Sequence, residues 1–224
     1  MARAAKRVAT YDDLLKVPDH FIAEIVDGEL FTSPRPALRH ATASSALGAL
    51  LGSAFMFGHG GPGGWWILFE PELHLEADVL VPDLAGWRRE RMPQVPDEAW
   101  CDIAPDWACE VVSPSTGRLD RVRKMPKYAI HGVSHLWLVD PGVRTLEVYR
   151  LEQGRWSLIA THGDDDVSLI RAEPFDAIEL DLQLLWGVLA ASPKPRTARR
   201  RPQRDVSLRL SSRREWQACR LVAR

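Results

Sequence analysis

The chain reads as an α/β protein built on a mixed central sheet flanked by helices, and three features predict it. Asp27-Gly28 and Gln153-Gly154 each separate two runs of strand-forming residues, so a β-hairpin is expected near either end. Residues 107–112, a basic helical segment and residues 135–139 follow one another as strand, helix and strand, the order of a right-handed βαβ unit. Residues 38–57 are rich in Ala and Leu, with Leu47, Leu50, Leu51, Ala54 and Phe55 at helical spacing, and make the main helix of the first half.

Taken in order, Thr10 followed by Asp13 is a capping-box signal for a short first helix closed by Pro18. The first hairpin pairs residues 21–26 with 29–31, and Ser33-Pro34-Arg35-Pro36 forms a loop into the main helix. His59 to Gly64 is a flexible loop, and without a following Gly-Lys-Ser or Gly-Lys-Thr it is not read as a phosphate loop. Residues 65–69, 73–75 and 79–87 read as strands, while the proline-rich, charged stretch 88–105 reads as a surface excursion. Ser113-Pro114-Ser115-Thr116-Gly117 ends the strand 107–112 and supplies caps for a helix over 118–131, in which Pro126 predicts a kink or a late start. A strand over 135–139, the second hairpin over 145–161 and a strand with a short helix over 178–186 complete the core.

Composition bounds the function. A chain of 224 residues, 46% hydrophobic and 26% charged, suits one soluble domain with a tail. The net charge of −1 hides an asymmetry: residues 193–224 carry eleven basic and two acidic residues, leaving 18 basic and 28 acidic in the rest. An acidic body repels a polyanion, so nucleic-acid binding would rest on local basic patches, the tail or metal ions. Cys101, Cys109 and Cys219 lack metal-ligand spacing and cannot all pair within the chain, which fits a reduced, cytoplasmic setting. The N-terminus lacks the apolar run of a signal peptide, and no stretch is long and apolar enough for a membrane helix.

Two carboxylates stand where apolar residues are expected: Asp83 after Val81-Pro82, and Glu110 inside Ala108-Cys109-Glu110-Val111-Val112. A buried ionised group needs a compensating partner, and two of them on neighbouring strands suggest a metal site. With the Val111 carbonyl and waters they would make an oxygen-rich set suited to Mg²⁺. Side chains alternate along a strand, so Glu110 and Val112 share one face, and Cys109 and Val111 the other. Asp120, Lys124 and Tyr128 are four apart and share a helix face, from which Lys124 would fold back onto the carboxylates and hold or deprotonate a water. Arg118, Arg121, Arg123 and Lys127 would supply phosphate contacts. Glu24 is either a third acid of the site or an edge-strand charge, and His40 falls at the start of the main helix. Ser113 and Ser115 lack a nucleophile elbow, and Cys109 has no evident base.

These residues resemble a family. Pro82-Asp83, the run from Glu110 to Thr116, Asp120, Lys124, Tyr128, Gly132-Val133 and the run from His135 to Pro141 resemble the Uma-two family, described as "putative restriction endonucleases", within the PD-(D/E)XK nuclease superfamily. The run from Glu24 to Leu30 and that from Pro34 to His40 extend the resemblance, which spans about residues 10–186. It implies a restriction-endonuclease-like core, cleavage of DNA phosphodiester bonds with Mg²⁺ (Mn²⁺ as substitute), and Asp83 and Glu110 as metal ligands. Val112 stands where the superfamily motif has lysine; the family's answer is a lysine in the next helix, here Lys124, with Glu24, His40, Asp120 and Tyr128 as auxiliary residues. No organic cofactor is implied, and cleavage of two strands would favour a homodimer by symmetry. The competing reading is a nuclease-fold module without catalysis that binds nucleic acid or a protein partner. The expected organisation is a flexible N-terminus over 1–9, a nuclease-like domain over 10–192 and a basic, disordered tail over 193–224.

Overall fold

In the computed structural model, which describes residues 7–164 and 169–187, the mixed α/β class is realised as two mixed sheets and few helices. The tail 193–224, residues 1–6 and 188–192, and Asp165-Asp166 lie outside the described residues. Helix α1 (Tyr11–Leu14) begins at the expected capping box: the Asp13 carboxylate accepts from the Thr10 N–H at 3.0 Å and from its hydroxyl at 2.9 Å. Strands β1 (Phe21–Val26) and β2 (Glu29–Pro34) form the first hairpin. Its two-residue turn needs positive φ at both positions, which Asp27 (53°) and Gly28 (71°) adopt.

Helix α2 (Leu38–Leu51) continues into a π-helical turn, Gly52–Met56. Gly48 in its interior sacrifices about 1 kcal/mol of helix propensity, but the Phe69 ring occupies the space a side chain would take, with its Cζ 1.8 Å from where a Cβ would sit. Strands β3 (Trp65–Phe69), β4 (Glu72–Leu75), β5 (Asp78–Leu80) and β6 (Leu84–Arg88) follow. The stretch 79–87, which reads as one strand in sequence, is two. It breaks at Val81-Pro82-Asp83, because proline has no N–H for the ladder, and the chain passes from one sheet to the other there. The excursion 88–105 also contains a short strand that its composition conceals, β7 (Trp100–Cys101), parallel to β4.

Strand β8 (Trp107–Val111) leads into α3 (Gly117–Leu119), a π-helical segment Asp120–Lys124 and α4 (Met125–Ile130), then β9 (His135–Asp140). Pro126 falls in the first turn of α4, directly after the wider π turn. The irregularity expected of a proline is therefore a change of helical register rather than a break. Strands β8 and β9 pair in parallel, as the strand–helix–strand reading requires. The second hairpin is β10 (Thr145–Glu152) and β11 (Arg155–His162), followed by β12 (Leu169–Ile170), β13 (Leu180–Asp181) and α5 (Leu182–Leu185).

One sheet has the order β2-β1-β5-β4-β7 and the other β11-β10-β9-β8-β6-β3; β12 and β13 pair separately. Strand β8 is central to the larger sheet and separates two cores. Trp107, Cys109 and Val111 pack with α2 and with Phe175, whose ring lies 4.9 Å from those of Trp65 and Trp107. Ala108 and Val112 pack on the other side with Val26, Leu73 and Leu80 of the smaller sheet and Tyr128 of α4. That second side receives Glu110, whose carboxylate meets the Tyr128 hydroxyl. The strand alternation thus sends Cys109 away from it, as predicted.

Candidate active site

The break at Pro82 is what assembles the site. Leu84 pairs with Cys109 in the antiparallel β6–β8 ladder, and continuing that register by one residue puts Asp83 across from Glu110. The Val111 N–H donates to Asp83 Oδ2 at 2.6 Å and fixes the carboxylate against β8. The other oxygen, Oδ1, lies 3.1 Å from His40 Nε2 at the start of α2.

Lys124 occupies the centre. Its side chain is 2% exposed, and Nζ lies 2.8 Å from Glu24 Oε1, 2.9 Å from Glu110 Oε1 and 3.1 Å from the Val81 carbonyl, to which it donates. Glu24 shares the β1 face of Val26 and so points into the second core, where its Oε1 also accepts from the Val81 N–H at 2.8 Å. It is a buried member of the cluster rather than an edge charge. Tyr128, one helical turn beyond Lys124, is fully buried and donates its hydroxyl to Glu110 Oε1 at 2.6 Å. Asp120, one turn before Lys124, is buried too, so the three residues predicted to share a helix face do so.

Four acids around one buried ammonium leave an excess of negative charge. Burial pushes the Glu110 carboxyl well above its ordinary range; Lys124 opposes this, while Asp120, Asp83 and Glu24 reinforce it. Burial likewise raises Asp120, to about 6, against the pull of Lys124 and a hydrogen bond with Thr116. For Lys124 burial acts downward, but the Glu110 and Glu24 carboxylates hold the ammonium well above its ordinary value, and it stays charged. His40 behaves similarly: burial lowers it, yet Asp83 carries it above its ordinary value.

Glu24, His40, Asp83, Glu110, Asp120 and Lys124 all line one cavity of about 290 Å³. Most of its remaining wall comes from two proline-containing stretches, residues 33–37 and 113–116, with Ile22 and Val81 completing it. Sequence reasoning gave these loops no part in the site; their signals were serine and proline spaced as turn residues and their inclusion in the runs that resemble the family. Nor did it find the Val81 backbone, whose N–H and carbonyl serve Glu24 and Lys124. No side-chain pattern reports such a role.

The basic residues are placed differently from one another. Arg118 is exposed. Arg121 lies 3.2 Å from Glu147 and Arg123 3.1 Å from Asp27. Lys127 is engaged by Asp27 at 2.6 Å and Asp78 at 2.9 Å, and ties the helix to the turn of the first hairpin.

Among the described residues no three His, Cys, Asp or Glu side chains form a ready-made metal cage. The donor chemistry still fits Mg²⁺, which is ordinarily bound through one or two carboxylates, waters and substrate phosphates rather than an all-protein cage. Asp83 and Glu110 are such a pair of hard donors facing one cavity.

The chain matches the Uma2 family, described as "Putative restriction endonuclease", over residues 8–183. Among solved structures it is similar to a "putative nuclease belonging to DUF820" from Anabaena variabilis ATCC 29413, with a TM-score of 0.63 and 23% identity, covering 80% of this chain and 97% of that one. At that identity the likeness bears on the fold. Comparison with curated proteins gave no match.

Proposed function

The chain belongs to the Uma2 family, and from that premise we propose that it is a metal-dependent endodeoxyribonuclease with Asp83, Glu110 and Lys124 as its working residues. The observation that carries this reading is the meeting of an acid from the break before β6, an acid on β8 and a helix-borne ammonium in a single cavity, with Lys124 Nζ 2.9 Å from Glu110. A lysine from the next helix thereby stands in for the motif position that Val112 fills.

The Asp83 and Glu110 carboxylates, with the Val111 carbonyl, would hold Mg²⁺, or Mn²⁺ in its place. The N–H and carbonyl of one residue in an extended strand point the same way, and the Val111 N–H points at Asp83. Bound there, a divalent ion would lower the pKa of a water and neutralise charge on the phosphodiester. The protein's own groups do the rest. Lys124 positions the attacking water by hydrogen bonding and offsets negative charge as the phosphate becomes pentavalent. Glu24 and the Val81 carbonyl fix the Lys124 side chain, and Tyr128 fixes Glu110. His40 holds Asp83 in its orientation. Arg118, and Arg121 and Arg123 on exchange of their carboxylate partners, would contact neighbouring phosphates.

Plasmid DNA incubated with the protein and Mg²⁺ or Mn²⁺ should be cleaved, and Glu110→Ala should abolish cleavage. Intact plasmid with the wild type, or equal cleavage by the variant, would remove the proposal. The second result would favour a binding module that keeps the fold without the chemistry.

A further inference from the structure

Hydrolysis takes a proton from the attacking water, and Lys124 has nowhere to put it. An ammonium carries three N–H donors and no lone pair. All three of those donors have acceptors close by: Glu24 Oε1 at 2.8 Å, Glu110 Oε1 at 2.9 Å and the Val81 carbonyl at 3.1 Å. By sharing the longest of these bonds Lys124 can steer a water and offset charge, but it accepts nothing. Resting on the nuclease reading above, we infer that Asp120 is the catalytic base that receives this proton.

The other groups of the cavity are already committed. Glu24 and Glu110 each lie within 2.9 Å of the Lys124 ammonium, and Asp83 faces His40 at 3.1 Å. A cation that close stabilises the ionised carboxylate and makes it a poor proton acceptor. His40 turns Nε2 to Asp83, and its Nδ1 is buried, closed to a water in the cavity. Asp120 lines the same cavity from the Lys124 helix face, one turn earlier. Among the described residues it makes no ion pair; a hydrogen bond with Thr116 holds it, and Lys124 pulls on it from beyond ion-pair distance. The charged groups that act on it or feel it are Lys124 on its own helix, Glu24 on β1, Asp83 before β6, Glu110 on β8 and His40 on α2. Burial sets its proton affinity at about 6, close to neutral pH, where a base is both ionised and able to take a proton. In the reaction the water oxygen bonds to phosphorus and its proton passes to the Asp120 carboxylate. The bond to the leaving sugar oxygen breaks, and its electron pair stays on that oxygen. The sugar oxygen takes a proton from solvent and Asp120 returns its own to solvent, so a diester and water become a phosphomonoester and an alcohol.

The test is single-turnover cleavage of plasmid DNA with Mg²⁺, from about pH 5 to about pH 9, by the wild type and Asp120→Asn, with Mg²⁺ binding to both followed by calorimetric titration. Glu110→Ala serves as the control for contaminating nuclease. The wild-type rate should climb about ten-fold per pH unit on the acid side and level off once Asp120 is ionised. Asp120→Asn should be slower by about 10²–10⁴-fold at neutral pH. Its rate should keep climbing with pH, as hydroxide from solvent takes over, while it still binds Mg²⁺ and so is still folded. Cleavage by Asp120→Asn at the wild-type rate, or with the wild-type pH profile, would overturn the inference and leave a nuclease standing. Loss of Mg²⁺ binding in Asp120→Asn would overturn it too, by making Asp120 a holder of the metal. If the wild type cleaves nothing, or Glu110→Ala cleaves equally, the nuclease reading falls and this inference falls with it.

Discussion

Lys124 and Lys127 sit three residues apart on the same helical segment, each between two carboxylates at 2.6 to 2.9 Å, yet they do opposite work. Lys124 is 2% exposed and its partners Glu24 and Glu110 are 7% and 3% exposed. Lys127 is 17% exposed and its partner Asp27 41%. The distances are alike, so it is dielectric and solvent access that separate them. At the hairpin turn water screens Lys127 and Asp27 and would solvate Asp27 left alone, while Asp78, only 7% exposed, keeps the Asp27 N–H as a donor at 2.7 Å. Around Lys124 both carboxylates are almost wholly buried, so removing the ammonium leaves two poorly solvated charges side by side. A folding purpose is served well by the first arrangement. The second is expensive and holds excess negative charge where a cation and a phosphate would arrive, as expected of a site whose pKa values are tuned for chemistry.

That contrast breaks most visibly at Lys124. Lys124→Met should lower the unfolding free energy by about 3–5 kcal/mol, measured by urea denaturation, and reduce cleavage by about 10²-fold or more. A variant as stable as the wild type would mean that the acids had already taken up protons and needed no cation.

The next effect is in the pH dependence of stability. The Asp120 carboxyl binds its proton more tightly in the folded chain, at about 6 against an ordinary 3.8. Between those values the folded state holds more protons than the unfolded one, so the contribution of Asp120 is fully present below pH 3.8 and is lost as pH rises through about 6. The loss amounts to about 3 kcal/mol from two pKa units. Asp120→Asn should remove this decline, and identical stability–pH curves for the two proteins would contradict the assignment.

Smaller again is Tyr128→Phe, which deletes a hydroxyl donating to Glu110 at 2.6 Å. A cost of about 1.5–3 kcal/mol is expected for a bond to a charged group, together with slower cleavage at unchanged DNA affinity. Equal loss of affinity would show that the hydroxyl meets the substrate itself. Lys127→Met completes the comparison. It should cost clearly less than Lys124→Met, because Asp27 is solvated and Asp78 keeps the Asp27 N–H, and a loss as large as that of Lys124→Met would erase the distinction between the two regions.

Much of this was readable before any coordinates. The Asp-Gly and Gln-Gly turns set both hairpins, because two-residue loops need positive φ that few residues tolerate. Glu110 stood out because an acid flanked by Ala, Cys and Val on a strand has few bland explanations. The i, i+4 spacing of Asp120, Lys124 and Tyr128 placed all three on the buried face despite the π turn among them. What sequence could not give was the pairing between distant segments. Whether Glu24 was an edge charge or part of the site depended on which sheet β1 joins and which way its face points, a tertiary fact. The division of residues 79–87 at Pro82 was signalled locally, but the passage between sheets was not. Nor does composition report the partners of a charge: the carboxylates that engage Lys127 and Arg123 are Asp27 in the turn of the first hairpin and Asp78 on β5, both remote in sequence.

Calorimetric titration of Mg²⁺ into the wild type and into Asp83→Asn and Glu110→Gln, which keep side-chain shape while removing charge, bears most directly on whether this cavity is a metal-dependent catalytic centre. One saturable binding event in the wild type, lost in both variants, is the predicted result; three indistinguishable isotherms would contradict it.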